Sequence, residues 1–233
     1  YCHYVFDDQK NKFEKIIITL KNMGDFISTD DFLKLLKEEK EIKGNYFHLS
    51  FDDGFRNIYT NAYPILLKHN IPAITFIPTK FIDVDWQTAK KYCIDIAGYA
   101  SVVETLKWKD IQEMDSEGYE FGSHTRTHIN LRTISENRDL LSYEIEGSKN
   151  DISEKINKPC KYFAWPFGEL QHIDDRVIDF IGKAGYEGCF GAFRGSTQNG
   201  ITNNLRLPRH HFEVEWPTSH IKYFARGKME LKL

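Results

Sequence analysis

The chain has 233 residues, enough to bury the core of one barrel or sandwich domain, and a composition of 41% hydrophobic and 28% charged residues that lacks the polar bias of a disordered chain. Its 31 basic and 34 acidic side chains leave a formal charge of -3. That balance excludes the strong field that draws in nucleic acid or an anionic membrane, and it suits a neutral partner. Cys2, Cys93, Cys160 and Cys189 stand singly, without the close pairs of a structural zinc site or redox motif, and read as buried small hydrophobes. No uninterrupted apolar stretch approaches membrane-spanning length. The sequence starts at Tyr1 and not at methionine, which leaves localisation open.

Residues Tyr1 to Phe6 read as a strand, and Phe13, Ile16, Ile17 and Leu20 recur at helical spacing within Lys12 to Met23. Ser28, three residues before Asp31, has the form of a capping box ahead of the apolar Phe32, Leu33, Leu35 and Leu36. Tyr46 to Phe51 is strand-like, Asn57 to His69 helix-like and Ile71 to Ile77 strand-like. Trp108 to Glu117 then reads as helix, Tyr119 to Gly122 as strand, Ser135 to Ile156 as one long helix and Lys161 to Ala164 as strand. Asp174 to Ala184 is helix-like, Tyr186 to Phe190 and Leu205 to Leu207 are strand-like, and Thr218 is placed to cap a last short helix. Alternation of strands and helices predicts an α/β chain with parallel strands and helical crossovers. About seven or eight strands in this length favour a (β/α) barrel, with room for distortion, over an open sheet. The whole of 1–233 forms one domain on this reading, with the weaker pattern at 80–102 an insertion over the barrel mouth.

Two motifs carry chemistry. In His48 Leu49 Ser50 Phe51 Asp52 Asp53 Gly54, two adjacent carboxylates end a buried strand before a glycine. Neighbours on a strand point to opposite faces, so only a bend at the strand's end brings both acids to one site, and Gly54 supplies that freedom. The alternative is a solvated turn. In Gly122 Ser123 His124 Thr125 Arg126 Thr127 His128, two histidines lie four apart after another strand; a helical turn there puts both imidazoles on one side, as in helical zinc motifs. The alternative is two independent loop histidines. Both motifs fall where a strand hands over to its next element, and in (β/α) barrels those ends gather at one face. Two imidazoles and one carboxylate leave coordination positions open for water and substrate.

Together these motifs resemble the polysaccharide deacetylase family, the NodB-homology domain of carbohydrate esterase family 4, and most resemble its branch of poly-N-acetylglucosamine deacetylases. Cys2 His3 Tyr4, the run Phe163 Ala164 Trp165 Pro166 Phe167 Gly168 and Leu207 Pro208 Arg209 also have counterparts there, so the resemblance spans most of the chain. It implies a distorted (β/α)7 barrel that removes N-acetyl, or in some members O-acetyl, groups from an acetylated polysaccharide or oligosaccharide. By the same resemblance Asp52 is the base and Asp53, His124 and His128 hold one divalent metal ion, Zn2+ first with Co2+ or Ni2+ as substitutes. A backbone amide near Phe167 joins in stabilising the oxyanion.

The match departs from the family pattern in two places. Ala164 stands where an arginine usually orients the catalytic aspartate, and Arg209, at the end of the last strand, is the expected replacement ahead of Arg206 and Arg194. The histidine that serves as general acid has two candidates in His210 and His211; strand alternation puts His211 in phase with Arg209 and favours it. His3 and His48 read as hydrogen-bonded core histidines, with His3 also a candidate for the pocket floor. Trp165, Pro166 and Phe167 are expected to bind the substrate, Trp165 by offering an aromatic face to a sugar, while Phe55, Trp86 and Trp216 are read as packing residues. Two rival readings stand beside deacetylation. One is a non-haem iron oxygenase, whose facial triad shares the donor set but not the order of acids and histidines. The other is a carbohydrate-binding domain without turnover, suggested by Ala164.

Overall fold

The structure is a computed structural model and describes residues 1–228; residues 229–233 of the expected domain lie outside the described residues. The chain opens with helix α1 (Lys10–Lys21), whose Phe13, Ile16, Ile17 and Leu20 are all buried, as their spacing predicts. A short strand β1 (Asp25–Phe26) leads to helix α2 (Thr29–Leu36), where the Ser28 hydroxyl accepts from the Asp31 amide at 3.1 Å and so caps the helix. The expected strand Tyr46 to Phe51 is two pieces. Strand β2 (Tyr46–Phe47) pairs with β1, and β3 (Ser50–Phe51) enters the main sheet.

Helix α3 (Tyr63–His69) follows a single π-turn at Ile58–Ala62 and ends at Asn70 in the left-handed region. After strand β4 (Ile74–Ile77), residues 80–102 fold as helix α4 (Trp86–Lys91), capped by the Asp85 carboxylate, and a second π-turn at Tyr92–Ile96. Helix α5 (Trp108–Ser116) and strand β5 (Glu120–Ser123) come next. The long helix expected over Ser135 to Ile156 is broken into α6 (Arg138–Leu141), a π-turn at Ser142–Glu146 and α7 (Gly147–Ile156). Periodicity of apolar residues does not distinguish an α-turn from a π-turn, which inserts one extra residue. Strand β6 (Tyr162–Ala164), helix α8 (Asp175–Lys183), strand β7 (Gly188–Phe190) and helix α9 (Thr218–Phe224) complete the described elements. The cap position of α9 is Pro217, so Thr218 is the first helical residue and not the cap.

All five strands of the main sheet run parallel in the order β3-β4-β5-β6-β7. Two single bridges extend it: Cys2 pairs with Phe51 at one edge and Leu207 with Phe190 at the other. These two ends, expected as full strands, are staves only one bridge long. They also meet each other, for the Tyr1 amino nitrogen donates to the His210 carbonyl at 2.7 Å and the Phe212 amide donates to the Tyr1 carbonyl at 2.9 Å. Five strands and two bridged ends make seven staves curled into a (β/α) barrel, the distorted architecture expected. Strand β4 is buried at every residue, as sheet strands covered on both faces are. The four cysteines are free and buried, and among the described residues no helix is long and apolar enough to cross a membrane.

Gly122 is fixed by packing at the centre of this sheet. It stands in register with Phe76, and a methyl group there would lie 2.5 Å from the Phe76 ring and 2.9 Å from the Tyr162 carbonyl. Overpacking of this kind costs about 1–3 kcal/mol, so Gly122→Ala should lower the stability read from urea unfolding by that amount. A variant as stable as the parent would contradict the close approach of β4 and β5.

Candidate active site

Both motifs sit at the carboxyl ends of parallel strands, just beyond β3 and β5, which flank β4 in the sheet. Asp53 is buried and has a φ of 72°, with Gly54 at 65° after it. This left-handed pair of residues is the bend that a straight strand lacks, and it turns Asp53 and Asp52 toward one site. The Asp53 Oδ1 atom lies 3.3 Å from His124 Nε2 and 3.1 Å from His128 Nε2. The candidate ligand atoms of the three residues all lie within 4.8 Å of one another, and all three side chains are buried.

The histidines converge by a route different from the helical turn expected. Residues 124–128 form an irregular loop in which Thr125 and His128 have φ of 65° and 58°, and the His128 amide donates to Thr125 Oγ1 at 2.9 Å. The buried Glu144 carboxylate accepts from the amides of Arg126 and Thr127, each at 2.9 Å, and from the Thr127 hydroxyl at 2.7 Å. Glu144 lies within the π-turn that interrupts the long helix, so the extra residue of that turn delivers the carboxylate to the loop. Nothing in the sequence near Glu144 signals this, because its spacing from the loop is unrelated to any motif.

Asp52 meets Arg209 in a bidentate pair, Nη1 to Oδ1 at 2.8 Å and Nη2 to Oδ2 at 2.7 Å. The same guanidinium donates from Nε to the Gly191 carbonyl at 2.7 Å and from Nη1 to Ser50 Oγ at 3.1 Å. Burial alone raises the Asp52 carboxyl, but the Arg209 charge and hydrogen bonds outweigh it and hold the group below its ordinary value. Arg209 is thus the arginine that reaches Asp52. Arg206 pairs with Asp175, and Arg194 lies over the Phe224 ring.

The donor set fits a divalent cation. The Ala164 carbonyl can only accept, so the 2.7 Å contact to His124 Nδ1 places a proton on that nitrogen and turns the Nε2 lone pair of the neutral ring toward Asp53. Two acceptors then face each other in a buried space, an arrangement relieved by a proton or a cation between them. One carboxylate oxygen and two imidazole nitrogens are suitable first ligands for a borderline metal with positions left over. Without an ion, burial opposes charge on His124, yet the hydrogen bond that its protonated ring donates to Asp53 and the charges of Asp52 and Asp53 raise its pKa.

Around this centre the expected residues divide. Phe167 is 43% exposed, has a φ of 62° and sets its ring edge-on to His128 at 4.9 Å; Pro166 is buried beside it. Trp165 is 0% exposed. Its amide still donates to the Phe190 carbonyl as if in the strand, its indole N–H donates to the Glu169 carbonyl at 3.1 Å, and its ring stacks on Phe193. A ring so enclosed has no face left for a sugar, so the expectation that Trp165 stacks on substrate is corrected; it is a core residue.

His211 is paired with Glu213 at 2.8 Å and lies 5.3 Å from the His3 ring, while the His210 ring is directed toward Phe224. Burial lowers the His3 pKa, and the charges of Asp53 and Asp52 oppose that lowering. His48 hydrogen-bonds Thr29 and stacks between Phe32 and Phe190, as a core histidine. Two tyrosines that no sequence motif marks complete the centre. The Tyr92 hydroxyl donates to the Asp53 carbonyl at 3.2 Å, and the Tyr99 hydroxyl donates to Asp53 Oδ2. A cavity of about 680 Å³ between α2 and Tyr46 to His48 includes none of the Asp53, His124 or His128 side chains.

Removing one partner of a buried, fully hydrogen-bonded ion pair costs about 3–5 kcal/mol. Arg209→Met should therefore lose stability of that order in urea unfolding, and adding Asp52→Asn should recover part of it. An unchanged midpoint for the single variant would contradict the pairing.

Known proteins share this sequence pattern and this fold. The chain is 29% identical over 209 residues to poly-beta-1,6-N-acetyl-D-glucosamine N-deacetylase of Staphylococcus aureus, covering 86% of this chain and 66% of that protein, just under two thirds of its length. The namesake of Staphylococcus epidermidis is 25% identical over 191 residues, 79% of this chain and 60% of that one. In fold the chain resembles IcaB from Ammonifex degensii, with a TM-score of 0.76 at 18% identity over 97% of this chain and 95% of the other. It also resembles the Streptococcus pyogenes deacetylase PplD in complex with acetate, with a TM-score of 0.74 at 19% identity over 95% and 92%. The sequence pattern of the polysaccharide deacetylase family matches residues 29–189, which hold both the Asp52 Asp53 and the His124 to His128 motifs, and the chain belongs to that family.

Proposed function

We propose that this chain is a metal-dependent N-deacetylase of acetylated amino sugars in a polysaccharide, releasing acetate. The observation that carries the reading is the juxtaposition of two differently treated carboxylates. Asp53 faces two imidazole nitrogens at 3.3 and 3.1 Å, while Asp52 next to it is clamped by Arg209. Membership of the deacetylase family and the names of the staphylococcal relatives support the substrate class.

Asp53, His124 and His128 would hold the cation, with zinc the ion best suited to one oxygen and two nitrogen donors. When bound, the ion supplies Lewis acidity toward a water and an amide carbonyl. Asp52 is the base. Held ionised and immobile by Arg209, it takes the proton of the attacking water, and it does not compete as a ligand because both its oxygens are engaged. Oxygen of the water bonds to the acetyl carbon, the C–N bond breaks, and a proton goes to the departing sugar nitrogen. His211, oriented by Glu213, is the proposed donor of that proton. The exposed Phe167 ring borders the ligand His128 and is placed to contact substrate, and the backbone there is the proposed source of an amide for the oxyanion. An O-acetyl ester meets the same groups, so esterase activity on acetylated sugars is the second reaction expected.

Zinc- or cobalt-loaded protein should release acetate from N-acetylglucosamine oligomers, and Asp52→Asn should lower that rate about 10²–10⁴-fold while leaving bound metal unchanged. Treatment with a chelator, or His124→Ala, should remove both metal and acetate release, measured by elemental analysis and an enzymatic acetate assay. Full activity after metal removal would overturn the reading.

A further inference from the structure

Asp53 occupies a costly position. A non-glycine residue in the left-handed region is strained and persists only where its surroundings over-determine it. The surroundings that do so come from residues 80–102. Tyr92 is completely buried, stacks on Phe81 with ring centroids 4.3 Å apart, and donates its hydroxyl to the Asp53 carbonyl. Tyr99, at the far end of the same segment, donates its hydroxyl to Asp53 Oδ2. That ring is held edge-on by Phe55 at 5.1 Å and by His3 at 5.9 Å. The backbone orientation of Asp53 and one of its two carboxylate oxygens are thereby fixed by a single excursion of chain.

The two oxygens of Asp53 have different partners. Oδ1 faces His124 and His128, while Oδ2 is held by Tyr99. A carboxylate with one oxygen taken by a strong donor is left to bind a cation through the other oxygen alone. We infer that Tyr99 is a positioning residue which makes Asp53 a one-oxygen ligand and so keeps a coordination position open for water and substrate. The inference rests on the metal site proposed above and deepens it: the segment 80–102 serves the metal centre, not only the outer surface of the barrel.

The test is Tyr99→Phe, which keeps the ring and its aromatic contacts and deletes only the hydroxyl. Loss of such an outer partner lowers metal affinity about 10–100-fold. Zinc affinity, measured by competition with a chromophoric chelator, should fall within that range, and the visible absorption of the cobalt-loaded protein should change in intensity as Asp53 gains freedom to bind through both oxygens. The urea midpoint of the metal-free variant should stay close to the parent's, and Tyr99→Leu should not restore affinity. Equal zinc affinity and an identical cobalt spectrum for Tyr99→Phe and parent would overturn the inference alone. A parent chain that binds neither ion would overturn the metal reading and this inference with it.

Discussion

The buried pair between Asp52 and Arg209 is the interaction on which the rest of the site depends. Its partners are 157 residues apart in sequence, and they tie the start of the sheet to its last stave. Burying two charges is expensive, and the expense is offset only when the remaining donors and acceptors are satisfied. Arg209 meets that condition, since Nε reaches the Gly191 carbonyl and Nη1 also reaches Ser50 Oγ. One guanidinium therefore joins the ends of β3, β7 and the Leu207 stave. A hydrophobic pair of similar volume would serve stability as well or better, so the presence of charges is better explained by what they do to Asp52, which they keep ionised and in one orientation.

The fold gives two adjacent aspartates opposite environments. Asp52 remains close to strand geometry and faces the arginine. Asp53, rotated by its positive φ, faces the histidines and the tyrosines of the 80–102 segment. A straight strand would have sent the two side chains to opposite faces of the sheet. The histidine loop is built by the same means, with two residues in the left-handed region stabilised by a buried carboxylate, here Glu144. In both loops strain is carried by residues at the site and balanced by hydrogen bonds from elements outside it.

Much of this was legible in the sequence, for reasons that also explain what was not. Asp52, Asp53, His124 and His128 lie in short motifs, and barrel topology gathers strand ends whatever lies between them. Arg209 was accessible because Ala164 vacated the usual place and the barrel's closure brings the last strand back to the first. Tyr99 and Glu144 were not legible, since Glu144 sits inside a π-turn and Tyr99 in the loop that follows another, and neither has a sequence spacing that forms a motif. Trp165 failed as a substrate residue because Ala164 does not end the ladder: the Trp165 amide continues it and the indole is buried, while the positive φ of Phe167 breaks the alternation and turns that ring out to solvent. The helical turn expected for 124–128 failed because spacing of four is equally compatible with a loop that doubles back through positive φ.

Where a cation binds is the most direct test of the proposed metal centre. Crystals grown with zinc and recorded on both sides of the zinc absorption edge should show one strong anomalous peak about 2.0–2.2 Å from Asp53 Oδ1 and from Nε2 of His124 and His128, with Asp52 outside its coordination sphere and still paired to Arg209. A peak among His3, His211 and Glu213 instead, or one ligated by Asp52, would contradict the division of labour between the two aspartates.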